Sequence, residues 1–219
     1  MGAQPLFTIG GAIKEGWRLT KEHFWFLIGY QIILYVIILL FSGPHPSYLR
    51  GILFWLAEWV LVVLVKMGLY NSSLLIAEGL KPDFDQLYQN WRMFLSWIVA
   101  GFLFGIMFTI GLFLLIVPGC YVWAKYGFFP FFILDKQIGP IEALKQSGEA
   151  TKGYRWPIFL LFLACVGLDI LGFLLFGIGL LITTPITLIA LATVYRKIAY
   201  RHQVTIEIPP SDIHKQQSS

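Results

Sequence analysis

The sequence predicts an all-α fold, a polytopic membrane bundle of about six transmembrane helices built as three repeats of an interfacial helix plus a helical hairpin. Three observations predict it. First, the 219 residues are 58% hydrophobic and 13% charged, against about 45–50% apolar and roughly 25% charged in a typical soluble domain. A mean hydropathy of +0.73 leaves more apolar surface than a water-soluble domain of this length can hide. Second, long runs carry almost no charge. Third, the basic residues between those runs fall on one side.

A helix needs about 20 apolar residues to cross roughly 30 Å of hydrocarbon. Phe24–Phe41 has that character, with Gln31 its one strongly polar residue, and Ser42-Gly43-Pro44-His45-Pro46 stops it. Ile52–Ala77 is the second run and carries Glu58 and Lys66. The stretch Phe94–Leu134 is long enough for two crossings, is punctuated by Pro118-Gly119, and holds Lys125 in its second half. Trp156–Ala199 again has room for two crossings, with Asp169 as its one acid; Gly177-Ile178-Gly179 or Thr183-Thr184-Pro185 marks its turn. Gly101 and Gly105 form a GxxxG pattern, which predicts close helix packing within the monomer.

Thirteen of the sixteen Lys and Arg residues lie in the segments before the first run, after the second, after the fourth and after the sixth. The opposite side has Arg50 alone. Under the positive-inside rule both termini then face the cytoplasm. The net charge of +4 is assigned to this orientation, and no nucleic-acid partner is expected. Met1–Glu22 lacks the short apolar core of a cleavable signal, so the first span is expected to act as its own anchor.

The polar segments share a pattern. Ile9, Ile13 and Trp17 form one face of a helix, and Lys14, Arg18 and Lys21 another. Ala143, Lys145, Thr151, Lys152 and Trp156 match Ala12, Lys14, Thr20, Lys21 and Trp25 at one constant offset. Pro82, with Phe84, Leu87, Trp91 and Trp97, repeats the idea with weaker identity. This gives a single membrane domain over 1–202, with repeat units of about 5–77, 80–134 and 139–202, followed by a tail over 203–219. Trp25, Trp97 and Trp156 are expected at the headgroup level as anchors. Val204–Ile208 alternates like a short extended segment.

Candidate chemistry is sparse. Cys120 and Cys165 lie in apolar runs and are expected to be packing residues. The four histidines form no ligand pattern, no nucleophile or phosphate-binding motif is present, and no cofactor or metal is expected. The intramembrane charges Glu58, Lys66, Lys125 and Asp169 are the candidate polar site, because a charge near the bilayer centre costs at least about 2.5–3.5 kcal/mol and so requires a partner or water. Asp169 with Lys66 or Lys125 is the natural pairing. Lys14, Arg18, Lys21, Lys145, Lys152 and Arg155 are candidate contacts to anionic lipids. The acids Asp135, Glu142 and Glu149 are expected to be solvated.

Leu114–Gly119, Phe131–Asp135, Gly139–Ser147 and Thr151–Trp156 together resemble a bacterial inner-membrane group. That group is the YciC-like family, similar to the membrane domain attached to some glycerophosphodiester phosphodiesterases. The resemblance is clearest over Gly111–Trp156. It implies an accessory membrane module and carries no catalytic residue, because the phosphodiesterase chemistry of the fused members belongs to a separate soluble barrel. The expected function is therefore a non-enzymatic membrane protein that binds membrane lipids, a membrane-protein partner or a second copy of itself. A small-solute or ion transporter using the intramembrane charges is the alternative.

Overall fold

The computed structural model describes residues 6–41, 48–82, 90–114, 116–175 and 179–207. Among them the chain is helical, with no strand. Helix α1 (Ile9–Glu22) begins where Thr8 accepts the Gly11 amide on its side-chain oxygen, a standard way to satisfy an orphan donor. The helices α2 (Phe24–Phe41) and α3 (Tyr48–Ala77) form the first hairpin. The second is α4 (Phe94–Leu114), entered by a 3-10 turn at Trp91–Met93, with α5 (Ile116–Tyr126) and α6 (Phe129–Lys136) returning. Helix α7 (Pro140–Ala150) leads to the third, α8 (Arg155–Leu174) and α9 (Leu180–Glu207).

Five stretches are long and apolar enough to cross a membrane: Phe24–Phe41, Gly51–Ala77, Trp91–Leu114, Arg155–Leu174 and Leu180–Arg201. The remaining limb is discontinuous. Helix α5 closes with the Gly127 amide donating to the Trp123 carbonyl at 2.8 Å, and α6 starts afresh at Phe129 with Pro130 in its first turn. Proline suits that position because its missing amide has no helical partner there. A Cβ on Gly127 would fall 2.7 Å from the Phe162 ring, so the break is packed tightly against α8.

Lipid offers no hydrophobic drive to hold helices together, so close packing and buried polar contacts must do it. The close approaches are at Gly111 with Gly119 and at Gly172 with Gly179, beside the two hairpin turns. A Cβ added at Gly101 or Gly105 would meet nothing within 4 Å among the described residues, which corrects the expected close packing of the GxxxG pattern within the monomer. Other expectations also change. Pro118-Gly119 lies inside α5, because proline is tolerated in a first turn. Thr183-Thr184-Pro185 lies inside α9, and the third hairpin turns between Leu174 and Leu180. Helix α9 continues to Glu207, so the boundary at 202 falls within a helix and Val204–Glu207 is not extended. Extending an existing helix is far cheaper than starting a new element, and five alternating residues are too few to oppose it.

The two amphipathic helices dock on hairpins that do not directly follow them. Helix α1 lies along α9, where Gly16 sits against the Ile186 carbonyl and Ala190. Helix α7 packs chiefly on α4, α5 and α6, with a smaller contact to α9 of the hairpin that follows it. Ser147 and Thr151 hydroxyls each lie 3.1 Å from the Lys125 carbonyl near the end of α5, a group left without a helical partner. Residues matched between the two segments share their burial: Ala12 with Ala143 and Thr20 with Thr151 are buried, Lys14 with Lys145 and Lys21 with Lys152 exposed. The apolar stripe proposed around Phe84 and Leu87 lies outside the described residues.

A candidate binding cavity between the hairpins

The break between α5 and α6 opens onto a cavity of about 500 Å³ walled by all three hairpins. That volume is typical of small-molecule sites. Gly127, Phe129, Pro130 and Phe131 line one wall, so the irregular backbone faces this space. Irregular backbone at membrane depth is tolerated where protein or a cavity covers it. The lining is largely apolar and rich in aromatic rings. Trp97 meets Tyr70 edge-on at 5.1 Å, Trp123 stacks on Phe162 at 5.3 Å, and Phe104 lies 5.4 Å from Phe129. Trp97 is thus half-buried inside the bundle, whereas Trp25 and Trp156 are exposed.

Three polar side chains make this more than an apolar gap. Gln31 of α2 is 3% exposed, and its Nε2 has no acceptor among the described residues. Asp169 of α8 is half-buried; its Oδ1 has no well-formed hydrogen bond among the described residues, Thr187 Oγ1 lies 3.4 Å from its Oδ2, and the Thr183 hydroxyl also stands close to the carboxylate. The Thr187 hydroxyl also lies 2.9 Å from the Thr184 carbonyl and has one proton to give. Lys66 of α3 lines the same space and is exposed, marking its open side. A carboxylate so poorly solvated in apolar surroundings needs a cation or a proton.

Of the predicted polar site, the structure brings Asp169 and Lys66 to one cavity and places the other two elsewhere. Lys125 lies away from it, with its amine 4.6 Å from the Tyr126 ring centre and its stem beside Gly148. Glu58 is half-buried on α3 and does not line the cavity. Gln31 was visible in the sequence as a lone polar residue in an apolar run. Tyr70 and Trp97 carried no such signal.

A second polar cluster ties the hairpins together at the charged end of the bundle. Arg196 Nη1 of α9 donates to Glu78 Oε1 and to Asp135 Oδ1, both at 2.7 Å. Tyr195 Oη donates to Asp135 Oδ2 at 2.6 Å. Local helix stops set the positions of both acids. Gly79, at φ +77°, ends α3 just after Glu78, with the Leu80 amide reaching back to the Leu75 carbonyl. Gln137, in the left-handed region, ends α6 just after Asp135 and donates to the Leu134 carbonyl at 2.8 Å. Asp135 is therefore a bonded, largely buried acid, 19% exposed, which corrects its expected solvation.

The candidate lipid-contact residues divide. Lys14, Lys21, Lys145 and Lys152 are exposed. Arg18 is held by Glu15 and Glu22 on its own helix, and its hydrogen bond keeps the Glu15 carboxyl below its usual range. Arg155 donates to the Tyr121 hydroxyl at 2.5 Å. The basic face of α1 is thus partly neutralised by its own acids. No family model matches the chain, and no curated protein or solved structure is significantly similar to it.

Proposed function

We propose that this chain is a non-enzymatic protein of a bacterial cytoplasmic membrane, with both termini cytoplasmic, that holds a lipid in the cavity between its hairpins. The observation that carries this is the cavity itself: an apolar, aromatic-rich space at a helix break, with a buried Gln31 donor and an Asp169 oxygen that both lack partners among the described residues. Unmet polar groups beside an apolar wall fit a molecule with a polar head and an apolar body. The one-sided distribution of basic residues supports the orientation. The matched burial of α1 and α7 supports the three-unit repeat, and the likeness to the YciC-like group supports an accessory role.

Native mass spectrometry of protein gently extracted with its own lipids tests the proposal. Wild type should retain a lipid, and Val166→Trp, which fills the cavity from α8, should release it. A wild type that carries no lipid, or a variant that carries as much, would count against the proposal.

Transport is the second role that a specific observation favours. Asp169 and Lys66 share the cavity, and the Glu78–Arg196–Asp135 cluster joins α3, α6 and α9, one helix from each of its three walls. If Asp169→Asn left every flux in proteoliposomes unchanged, the transport role would be lost.

A further inference from the structure

Asp169 and Lys66 line one cavity, yet no ion pair joins them among the described residues. On a third helix, Gln31 Nε2 adds a buried donor without an acceptor among the described residues. The space therefore offers a carboxylate with one oxygen unsatisfied, an exposed ammonium, and a neutral donor without an acceptor among the described residues, on an apolar lining rich in aromatic rings. A proton on Asp169 would still leave Gln31 Nε2 without an acceptor among the described residues. An inorganic cation of the calcium class requires about 6–8 oxygen ligands, whereas the lining supplies one carboxylate and few hydroxyls. An organic ammonium suits better, since aromatic rings such as Tyr70 and Trp123 line the same space.

We propose that the cavity takes a zwitterion in which an ammonium and a phosphate lie a few bonds apart. The ammonium sits on Asp169, and the phosphate on Lys66 with help from Gln31. This rests on the lipid-binding role proposed above and narrows it to an ethanolamine-type phospholipid headgroup. Lys66 is the exposed member, so the phosphate end faces the opening while the ammonium points inward. A simple anionic lipid would meet Lys66 but leave Asp169 facing its negative charge across an apolar space.

The test uses the full chain in nanodiscs containing equal amounts of phosphatidylethanolamine and phosphatidylglycerol, followed by native mass spectrometry of the released complexes. Wild type should retain phosphatidylethanolamine about tenfold over phosphatidylglycerol, the effect of one charge-assisted hydrogen bond of about 1.4 kcal/mol. Asp169→Asn should erase the preference but keep a lipid, and Lys66→Gln should lower retention of both lipids. A second arm needs no variant: N-acetylated phosphatidylethanolamine, which lacks the positive charge, should fail to compete on wild type.

Free phosphoethanolamine separates the two sources of this chemistry. Displacement of the retained lipid assigns the soluble headgroup, and failure to displace it assigns the lipid. Equal retention of phosphatidylglycerol by wild type, or competition by the N-acetylated lipid, would overturn the zwitterion while leaving lipid binding intact. Retention of no lipid at all would remove the lipid role itself.

Discussion

Substituting Arg196→Met removes both ion pairs to Glu78 and Asp135 while keeping an unbranched apolar stem in place. Hydrogen bonds to charged groups contribute about 1.5–3 kcal/mol when buried, and exposed ion pairs about 0–1 kcal/mol. The three side chains stand between these limits, at 27%, 35% and 19% exposure for Arg196, Glu78 and Asp135. Screening places the Glu78 contact near the surface value and the Asp135 contact nearer the buried one. The two together are worth about 3 kcal/mol, including the repulsion left between two unpaired acids. For a chain of this size that is a fall of about 6–12 °C in the unfolding midpoint.

The assay is thermal unfolding in mild detergent at a fixed scan rate, because membrane proteins rarely refold reversibly and the midpoint is then operational. Both pairs use the single nitrogen Nη1, so Arg196→Lys should lose less than Arg196→Met. The loss should also shrink in a Glu78→Gln, Asp135→Asn background, where no unpaired charge is left behind. A fall of under about 2 °C for Arg196→Met would refute the reasoning, since it would mean that solvent already screens the cluster.

Gly16→Ala should loosen α1 from α9, because the new Cβ falls 2.6 Å from the Ile186 carbonyl; a loss of about 1–3 kcal/mol is expected, read as faster tryptic cleavage after Lys14 and Lys21. Gly105→Ala, whose Cβ meets nothing within 4 Å among the described residues, should behave as wild type in the same digest. Ser147→Ala combined with Thr151→Val should destabilise more than either alone, by about 1–3 kcal/mol, because together they leave the Lys125 carbonyl without a donor. The Glu15–Arg18 contact is small and exposed, and its sign is set by a lowered carboxyl. Its contribution is full above the ordinary value of 4.5 and is lost as pH falls through the lower folded value. Trp17 fluorescence should accordingly stay constant above pH 4.5 and shift only below it.

The long apolar runs were legible because hydropathy is a local property. Phe24–Phe41 is bounded in the structure as it is in the sequence. The amphipathic segment before it was equally local, and it became α1. What escaped depends on contacts between distant residues. Arg196 meets Asp135 across 61 positions, and neither residue differs in sequence from an ordinary loop charge at a membrane edge. Trp97 has the flanking position of an anchor, and only the packing of α3 and α6 against it turns it inward. The acids Glu15 and Glu22 were readable, but counting lysine and arginine alone hid how far they offset Arg18. The candidate site was half legible. Asp169 and Lys66 were singled out for the cost of placing charge in lipid, but which lysine shares a cavity with Asp169 is fixed by how the third hairpin packs on the first.

The most direct measurement is a cryo-electron microscopy map of the full chain in lipid nanodiscs, compared with Val166→Trp. A lipid-holding cavity predicts elongated density between α3, α4 and α8 in wild type, with its head beside Gln31 and Asp169, and no such density in the variant. A wild-type cavity that is empty, or closed by a direct contact between Gln31 and Asp169, would contradict it.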